Sequence, residues 1–204
     1  MIIAVDGPAA SGKGTIAKAL AAHFKLPHLD TGLLYRAVGM AVLHSGGDPA
    51  NPGDAAAACA FPDALLNDPE LRCEAAGQAA SKASVHSAVR AALLKRQQDF
   101  ANQPGGAVLD GRDIGTVIAP HADAKLFVIA TPEARAQRRL RDEAAGADYT
   151  TILAEIRSRD KRDSDRSAAP MRKADDADLL DTSDLTIEQA IHQAIALIEA
   201  RAGG

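Results

Sequence analysis

The sequence of 204 residues contains no tryptophan, and only two tyrosines and four phenylalanines supply aromatic side chains. Apolar residues make up 47% of the chain, so the core must consist mainly of Ala, Leu, Ile and Val. That composition is ordinary for a globular protein, and a chain of this length is expected to form one domain around one core.

Long apolar runs are also missing. The first run, "IIAVD", ends at Asp6, and no later run approaches the ~18 apolar residues that a membrane span requires. No basic segment precedes this run, which is too short for the apolar part of a signal peptide. We therefore expect a cytoplasmic protein with no membrane partner.

Cysteine is scarce, and the chain as a whole has no excess of positive charge. Cys59 and Cys73 lie in unrelated surroundings without a further ligand pair nearby, so we expect plain reduced thiols. The formal net charge of −4 argues against a nucleic-acid partner, which would require a basic surface. Lysine and arginine are concentrated between residues 135 and 173, and this local excess favours a small anionic ligand. No long exposed apolar stripe calls for a second subunit, so we expect a monomer.

Five short apolar runs alternate with longer helical patterns along the chain. They read "IIAVD", "PHLD", "AVLDG", "AKLFVIA" and "DLLDTS". This alternation predicts an α/β fold with a parallel sheet that is covered by helices on both faces. Ligands of such sheets bind beyond the carboxyl ends of the strands.

Two segments interrupt the alternation: the first is expected to lie over the sheet, and the second is of the kind that folds over a ligand. Residues 46–81 are rich in Pro, Gly and Ala and form a predicted inserted subdomain or lid. Residues 146–173 contain the charge-dense run "SRDKRDSDRSAAP" and form a predicted lid region. The ranges 1–45, 82–145 and 174–204 form the predicted core of a single domain.

The stretch "GPAASGKGT" directly follows the first predicted strand and opens a helix. A glycine-rich turn at this place presents backbone N–H groups at the positive end of a helix dipole, and Lys13 adds a mobile charge. The spacing matches a P-loop, except that Gly14 stands where Ser or Thr is usual and the hydroxyl follows at Thr15. The alternative is an ordinary glycine-rich connection.

We predict that this turn holds the β-phosphate of a donor triphosphate and that Thr15 helps to place Mg²⁺. The order Gly-Lys-Gly-Thr is typical of many nucleoside monophosphate kinases, whereas switch GTPases usually place the hydroxyl directly after the lysine. The predicted ATP-binding residues are Gly7, Pro8, Ala9, Ala10, Ser11, Gly12, Lys13, Gly14 and Thr15.

Charged residues also follow the next two predicted strands. In "LDTGLLYRAVG", Arg36 lies away from the apolar stripe of its helix, as a solvated arginine or an anion ligand would. In "LDGRDIGTVIAP", Arg112 and Asp113 follow a buried strand and should lie beside the P-loop, unless they form a self-satisfied charged loop. Asp110 takes the position of a Walker-B acid, which would order Mg²⁺ through water.

The run "RDKRDSDR" places several charges on one helix face. Arg162, Asp163 and Arg166 all lie within about 60° of Arg159 on a helical wheel. Arginine forks match phosphate oxygens, so this face is suited to clamp polyphosphates. The alternative is a solvated face stabilised by pairs three or four residues apart.

These motifs together resemble the bacterial cytidylate kinases. The resemblance is carried from end to end by "DGPAASGKGT", "LDTGLLYRAVG", "LRCEAAGQAASKAS", "AVRAALLKRQ", "DGRDIGTV" and "RDKRDSDRSAAP". It implies a P-loop kinase fold of three layers with a five-stranded parallel sheet, a shortened NMP-binding insert and a helical lid. It also implies transfer of the γ-phosphoryl group of ATP to CMP or dCMP, with Mg²⁺ as cofactor. Because residues 46–81 are short beside the usual insert, we expect the small β-sheet of that insert to be incomplete.

The resemblance also assigns roles to individual residues. The arginines that match acceptor-phosphate ligands are Arg36, Arg112 and Arg166. The residues that match readers of cytosine are Ser81, Arg90 and Asp113, and those that match ribose contacts are Arg159 and Asp163. Asp30 and Thr31 complete the expected CMP site, and Arg162 resembles a lid arginine that faces the transferred phosphoryl group. The residues expected to act in catalysis are Lys13, Arg112, Arg162 and Arg166.

Hydrogen-bond chemistry supports cytosine as the base. A carboxylate such as Asp113 can accept from the N4 amino group, and a guanidinium such as Arg90 can donate to N3 and O2. In uracil, hydrogen-bond donor and acceptor are exchanged at two of these atoms, which would leave buried groups of the site unpaired. CMP should therefore be preferred over UMP. Ser81 and Arg90 would lie on opposite sides of one continuous helix, so we predict a break between Ser84 and Ser87, with N-cap residues from "SVHS".

The acceptor of this reaction is itself a phosphate oxyanion, so no general base is expected, and catalysis is expected to rest on positioning and charge neutralisation. Competing interpretations are a P-loop kinase for UMP or for an alcohol such as shikimate, and a nucleotide-dependent switch or RNA-binding module. The histidines, including His23, His28 and His121, show no ligand spacing, and we expect surface or packing roles for them.

Overall fold

A computed structural model describes residues 1–142, 148–165, 167 and 169–202. In this part of the chain the strands are β1 (Ile2–Asp6), β2 (His28–Asp30), β3 (Ala107–Gly111), β4 (Ala124–Ile129) and β5 (Asp178–Asp181). The helices are α1 (Lys13–Phe24), α2 (Thr31–His44), α3 (Pro52–Ala57), α4 (Glu74–Ala83), α5 (Ser87–Ala101), α6 (Pro132–Asp142), α7 (Tyr149–Asp165) and α8 (Ile187–Ala202). A single π-helical turn, Ile114–Ile118, follows β3.

The strands form one parallel sheet in the order β2-β3-β1-β4-β5. The register pairs Asp6 of β1 with Gly111 of β3, and Asp30 of β2 with Asp110 of β3. Every predicted strand is therefore present, and the predicted parallel α/β sheet is confirmed. The register also brings the acidic ends of β1, β2 and β3 to one edge, as expected for ligands that bind beyond the carboxyl ends of strands.

Alternate residues of the central strand β1 supply two separate cores. Ile3 and Val5 pack with Leu20 of α1 and Ile198 of α8 on one face of the sheet. Ala4, on the other face, belongs to the cluster of α5 and the π-helical turn. Side chains of a strand point alternately to its two faces, so one buried strand anchors both layers of helices. No helix in the described ranges is long and apolar enough to cross a membrane.

The inserted segment at residues 46–81 is helical. It consists of α3, two short 3₁₀ turns and most of α4, and all of its backbone is described without any strand. No strand of the small β-sheet, which was expected to be incomplete, is present in this segment. Helix α4 packs closely on α2, because a Cβ at Gly39 would lie only 2.7 Å from the Cβ of Ala79. Since α4 continues past residue 81, a helix crosses the predicted boundary, and the domain boundaries stay a prediction.

The predicted helix break is present, because α4 ends at Ala83 and α5 begins at Ser87. The N-cap residue also comes from the predicted stretch "SVHS", but it does not cap the helix with its side chain. The N-cap of α5 is His86, whose side chain makes no capping hydrogen bond and contacts the Pro49 carbonyl oxygen at 3.1 Å. Ser84 instead donates to the Ser81 carbonyl oxygen at 3.2 Å. The change of direction lets residues of α4 and α5 face the same cavity.

Candidate active site

The P-loop turn lies between β1 and α1 and depends on glycine at two positions. A Cβ at Gly7 would lie 2.0 Å from the Val128 carbonyl oxygen, so no other residue fits there. Gly12 has φ 87° and forms the N-cap of α1, a conformation that L side chains rarely adopt. The turn therefore ends at a helix N-terminus, where backbone N–H groups attract anions.

Side chains from the far half of the sequence hold this turn in place. The hydroxyl of Thr182 donates to the Ser11 carbonyl oxygen at 2.9 Å, and Arg138 donates to the Thr182 carbonyl oxygen. Arg135, which is buried, donates to the Ala9 carbonyl oxygen at 3.2 Å. These supports were missed in the sequence. The available signal was the run of arginines in α6, directly after β4.

Arg135 also connects the P-loop to the predicted lid region. Its guanidinium donates to both carboxylate oxygens of Asp160 on α7, at 2.9 and 2.6 Å. Such two-point pairs between arginine and carboxylate fix direction as well as distance. Helix α7 is thereby attached to the loop that should hold the donor.

A cavity of about 1020 Å³ lies beside the P-loop. Its walls are the turn from Ala10 to Ile16, arginines of α6 and residues 182–188 before α8. Lys13 lines this cavity, and burial lowers its pKa to about 8, with neighbouring Arg112 adding to the effect. Thr15 is exposed on the same wall. The cavity is large enough for a nucleoside triphosphate.

Two carboxylates mark the edge of the sheet beside this cavity. Asp6 is buried and accepts from the backbone N–H groups of Ile114 and Gly115, each at 2.8 Å. Burial raises the pKa of Asp6 to about 7. Asp110 is also buried and contacts Nε2 of His28 at 2.8 Å. Asp6, which no motif had singled out, thus ties β1 to the π-helical turn after "DGRD".

The three histidines named in the sequence analysis lie in different surroundings. His23 and His121 are exposed, and each makes one polar contact at the surface. His28 is partly buried against Asp110, and it is therefore part of the polar network at the strand ends. Only the pairing of β2 with β3 brings these two residues together.

A second, narrower cavity lies where α2, α4, α5 and α7 meet the end of β3. It collects nearly all of the residues predicted to bind CMP. Those that line it are Thr31, Arg36, Ser81, Arg90, Arg112, Asp113, Arg159 and Asp163. Asp30 does not line it but lies at the N-cap of α2, where its charge opposes burial in setting the pKa values of Lys13 and Arg36. Arg166 lies outside the described residues.

Two of the lining residues, Arg90 and Asp113, are expected to read the base. Arg90 donates to the Asp113 carboxylate, and both side chains are at most 10% exposed. The Arg90 guanidinium also lies 5.6 Å from the centre of the Tyr35 ring. Tyr35 is a contact that sequence reasoning missed. A donor and an acceptor of opposite charge are thus held side by side, away from bulk water.

Three further arginines, Arg36, Arg112 and Arg159, also line this cavity. Arg112 donates from Nε to Asp163 at 2.8 Å, and Arg36 donates to the Leu71 and Cys73 carbonyl oxygens at 2.7 and 3.1 Å. Arg159 has a buried Nε that has no hydrogen-bond partner among the described residues. Burial lowers the pKa of Arg159 to about 10, and repulsion from Arg112 contributes. An anion bound here would reduce the repulsion between Arg112 and Arg159 and would accept a hydrogen bond from Nε of Arg159.

The profile of the family described as Cytidylate kinase matches residues 3–200. The chain belongs to the cytidylate kinase family. Three proteins named Cytidylate kinase are similar to it. The protein from Xanthobacter autotrophicus strain Py2 is 58% identical over the whole of both chains. The one from Rhodopseudomonas palustris strain BisA53 is 55% identical over 100% of this chain and 99% of its own. The one from Caulobacter vibrioides strain NA1000 is 56% identical over 97% of this chain and 95% of its own.

Two solved structures share the fold at low identity. An uncharacterized protein from Eubacterium ventriosum is 20% identical with a TM-score of 0.60, over 98% of each chain. The protein TT1252 from Thermus thermophilus is 18% identical with a TM-score of 0.51, over 100% of this chain and 98% of its own. At these identities the likeness concerns the fold alone.

One side chain lies elsewhere than the resemblance to cytidylate kinases implied. Arg162 was expected to face the transferred phosphoryl group. In the structure its Nε donates to the Ser81 hydroxyl at 3.2 Å, and its Nη1 donates to Ser158 at 2.8 Å. Arg162 therefore lies against the wall of the cavity expected to bind the base, and its role in catalysis stays a prediction.

Proposed function

We propose that the chain transfers the γ-phosphoryl group of ATP to CMP or dCMP, giving ADP and CDP or dCDP. Membership of the cytidylate kinase family supports this activity. The observation that carries it for this chain is one cavity lined by both the Arg90–Asp113 pair and the guanidinium groups of Arg36, Arg112 and Arg159. Arg112 and Arg159 also lie close enough to Lys13 of the P-loop to lower its pKa. A nucleoside monophosphate combines a hydrogen-bonding base with an anion, and this lining offers partners for both.

ATP binds in the larger cavity, with its phosphates on the P-loop backbone and Lys13. The described residues contain no group of three or more His, Cys, Asp or Glu that could hold a metal by themselves. The Thr15 hydroxyl offers one oxygen ligand beside the P-loop, and the Asp110 carboxylate would hold a water bound to the metal. This sparse set fits Mg²⁺, which keeps several waters and binds through phosphates. When bound, Mg²⁺ neutralises charge on the phosphates.

CMP binds in the narrower cavity. Asp113 accepts from the N4 amino group of cytosine, and Arg90 donates to N3 and O2, so the base competes for groups that are paired with each other in its absence. Asp163 and Arg159 contact the ribose. The acceptor phosphate lies against Arg36 and Arg112, with Arg166 as a further predicted ligand.

Transfer then needs no general base, because the attacking atom is already an anionic phosphate oxygen. Arg112 and Lys13 reduce the repulsion between the two nucleotides and hold the reacting groups in line. We expect Arg162 to act with Arg112 and Lys13 once the lid region has closed over both nucleotides. Closure of α7 over the P-loop excludes water and limits hydrolysis of ATP. The enzyme acts as a cytoplasmic monomer of one domain, as composition and the absence of a long apolar stripe in the sequence suggest.

A coupled assay that detects ADP tests this function with ATP and each of CMP, dCMP, UMP, AMP and shikimate. We expect the highest kcat/KM with CMP or dCMP. Turnover should require Lys13, so Lys13→Ala should abolish it, whereas Arg157→Ala changes an exposed arginine of α7 and serves as the control. No turnover with either cytidine nucleotide would overturn the proposal, and turnover with UMP or shikimate alone would establish the competing kinases.

A further inference from the structure

We propose that His28 is a positioning residue that orients the Asp110 carboxylate toward the P-loop, so that this carboxylate can order the metal of the ATP complex. This inference rests on the proposed function, in which Asp110 is a metal-ordering acid. Its direct basis is the contact of 2.8 Å between His28 Nε2 and Asp110 Oδ1.

Strand register explains why these residues meet. His28 of β2 pairs with Val108 of β3, and Asp110 follows two residues later on the same strand. Residues two apart on a strand point to the same face, so the His28 and Asp110 side chains share one face of the sheet on neighbouring strands. A shift of the register by one residue would place them on opposite faces.

The contact is protected from water, since the side chains of His28 and Asp110 are 16% and 4% exposed. An ionised carboxylate can only accept hydrogen bonds, so Nε2 of His28 carries the proton and donates. Because little water can reach the pair, loss of this donor would leave the inner carboxylate oxygen unsatisfied. The hydrogen bond therefore sets the orientation of the carboxylate.

The second carboxylate oxygen faces the first turn of α1. A Cβ at Gly14 would lie 3.8 Å from Asp110 Oδ2, and Gly14 stands between Lys13 and Thr15. The backbone of Asp110 is also held, because the Thr31 hydroxyl donates to its carbonyl oxygen at 2.8 Å. With the backbone and Oδ1 both held, Oδ2 is directed to the place where the Thr15 side chain and the phosphates would meet the metal.

A histidine that merely satisfies a buried acid would affect stability, whereas a positioning histidine also affects the coupling between metal and nucleotide. That coupling is the ratio of the dissociation constants of ATP without and with Mg²⁺. Partners that orient metal-binding groups typically contribute 10–100-fold to metal affinity. We therefore expect His28→Leu to reduce the ratio about tenfold, while the affinity for metal-free ATP stays within about twofold of wild type, because the P-loop is untouched.

Isothermal titration calorimetry with ATP, in excess EDTA and in excess MgCl₂, measures this ratio without relying on turnover. His28→Gln keeps an N–H donor and should restore most of the coupling, whereas His28→Asn is too short to reach Asp110 and should behave like His28→Leu. His121→Leu is the matched control, because His121 is exposed and its Nε2 contacts a surface amide, that of Asn102, at 3.1 Å. Its ratio should equal that of wild type. If His28→Leu does not fold, the Asn and Gln pair decides the question.

A wild-type ratio in a folded His28→Leu or His28→Asn variant would overturn the inference. An equal loss of affinity for ATP with and without Mg²⁺ would also overturn it, since that result indicates general damage to the site. Asp110→Asn separates the inference from the proposed function. If Asp110→Asn lowers the ratio and the His28 variants do not, only the role of His28 fails; if Asp110→Asn keeps the wild-type ratio, the metal role of Asp110 fails as well.

Discussion

The buried carboxyl of Asp6 predicts an unusual dependence of stability on pH. Its side chain lies at the end of β1, is 5% exposed, and accepts from two backbone N–H groups of the π-helical turn. Burial raises its pKa from 3.8 to about 7, although the two N–H donors act in the opposite direction. Between these two values the folded protein holds a proton that the unfolded chain has released.

The sign and size of the effect follow from this difference. Because the pKa is higher in the folded state, the stabilising contribution is complete below about pH 4 and is lost as the pH rises through about 7. One pKa unit corresponds to about 1.4 kcal/mol, so the full effect of Asp6 is about 4 kcal/mol. Between pH 5 and pH 7 the loss amounts to about 2 kcal/mol.

The perturbation is Asp6→Asn, which removes the titrating group and keeps the shape. Urea unfolding of both proteins at pH 5, 6, 7 and 8 gives the free energy of unfolding of each. Subtracting the value for Asp6→Asn from that for wild type removes the contributions of groups that titrate alike in both proteins. We expect wild type to lose about 2 kcal/mol relative to Asp6→Asn between pH 5 and pH 7. A difference that does not change with pH would refute the reasoning, because it would mean that the N–H donors outweigh burial.

Three further changes test the narrower cavity and the packing of α2 on α4. Arg112→Ala should lower kcat at least about 100-fold with an unchanged circular dichroism spectrum, because charge neutralisation is lost, and a wild-type kcat/KM would discredit its role. Asp113→Asn should narrow the preference for CMP over UMP about tenfold in kcat/KM, because an amide can donate to O4 of uracil; an unchanged ratio would exclude Asp113 as a reader of the base. Gly39→Ala should destabilise by about 1–3 kcal/mol in urea unfolding, because its Cβ would lie 2.7 Å from that of Ala79; an unchanged midpoint would contradict tight packing of α2 on α4.

Much of the site could be predicted because its residues follow strand ends. Arg112 and Asp113 come directly after the buried run "AVLDG", and parallel strands bring their carboxyl ends to one edge, so their place beside the P-loop followed from order alone. The break between α4 and α5 followed from helical geometry in the same way. The lack of a side-chain cap did not, because the His86 ring contacts the Pro49 carbonyl oxygen, 37 residues earlier in the chain.

The supports of the P-loop could not be predicted in this way. Arg135 and Asp160 meet the loop from α6 and α7, and Thr182 reaches Ser11 across 171 residues of sequence. Any of several arginines in "RAQRRLR" could have made these contacts. Which of them did so depends on the direction in which α6 leaves β4, and no local period encodes that direction.

The sequence by itself determined the strands, the P-loop turn and the placing of charged residues after strand ends and on one helix face, because these depend on short-range periodicity and on spacing within one turn. Only the tertiary structure decided that Arg162 lies against Ser81, that Asp6 holds the turn after β3 and that His28 meets Asp110. Those contacts depend on strand register and helix packing, which are settled by the burial of the whole core rather than by any one segment.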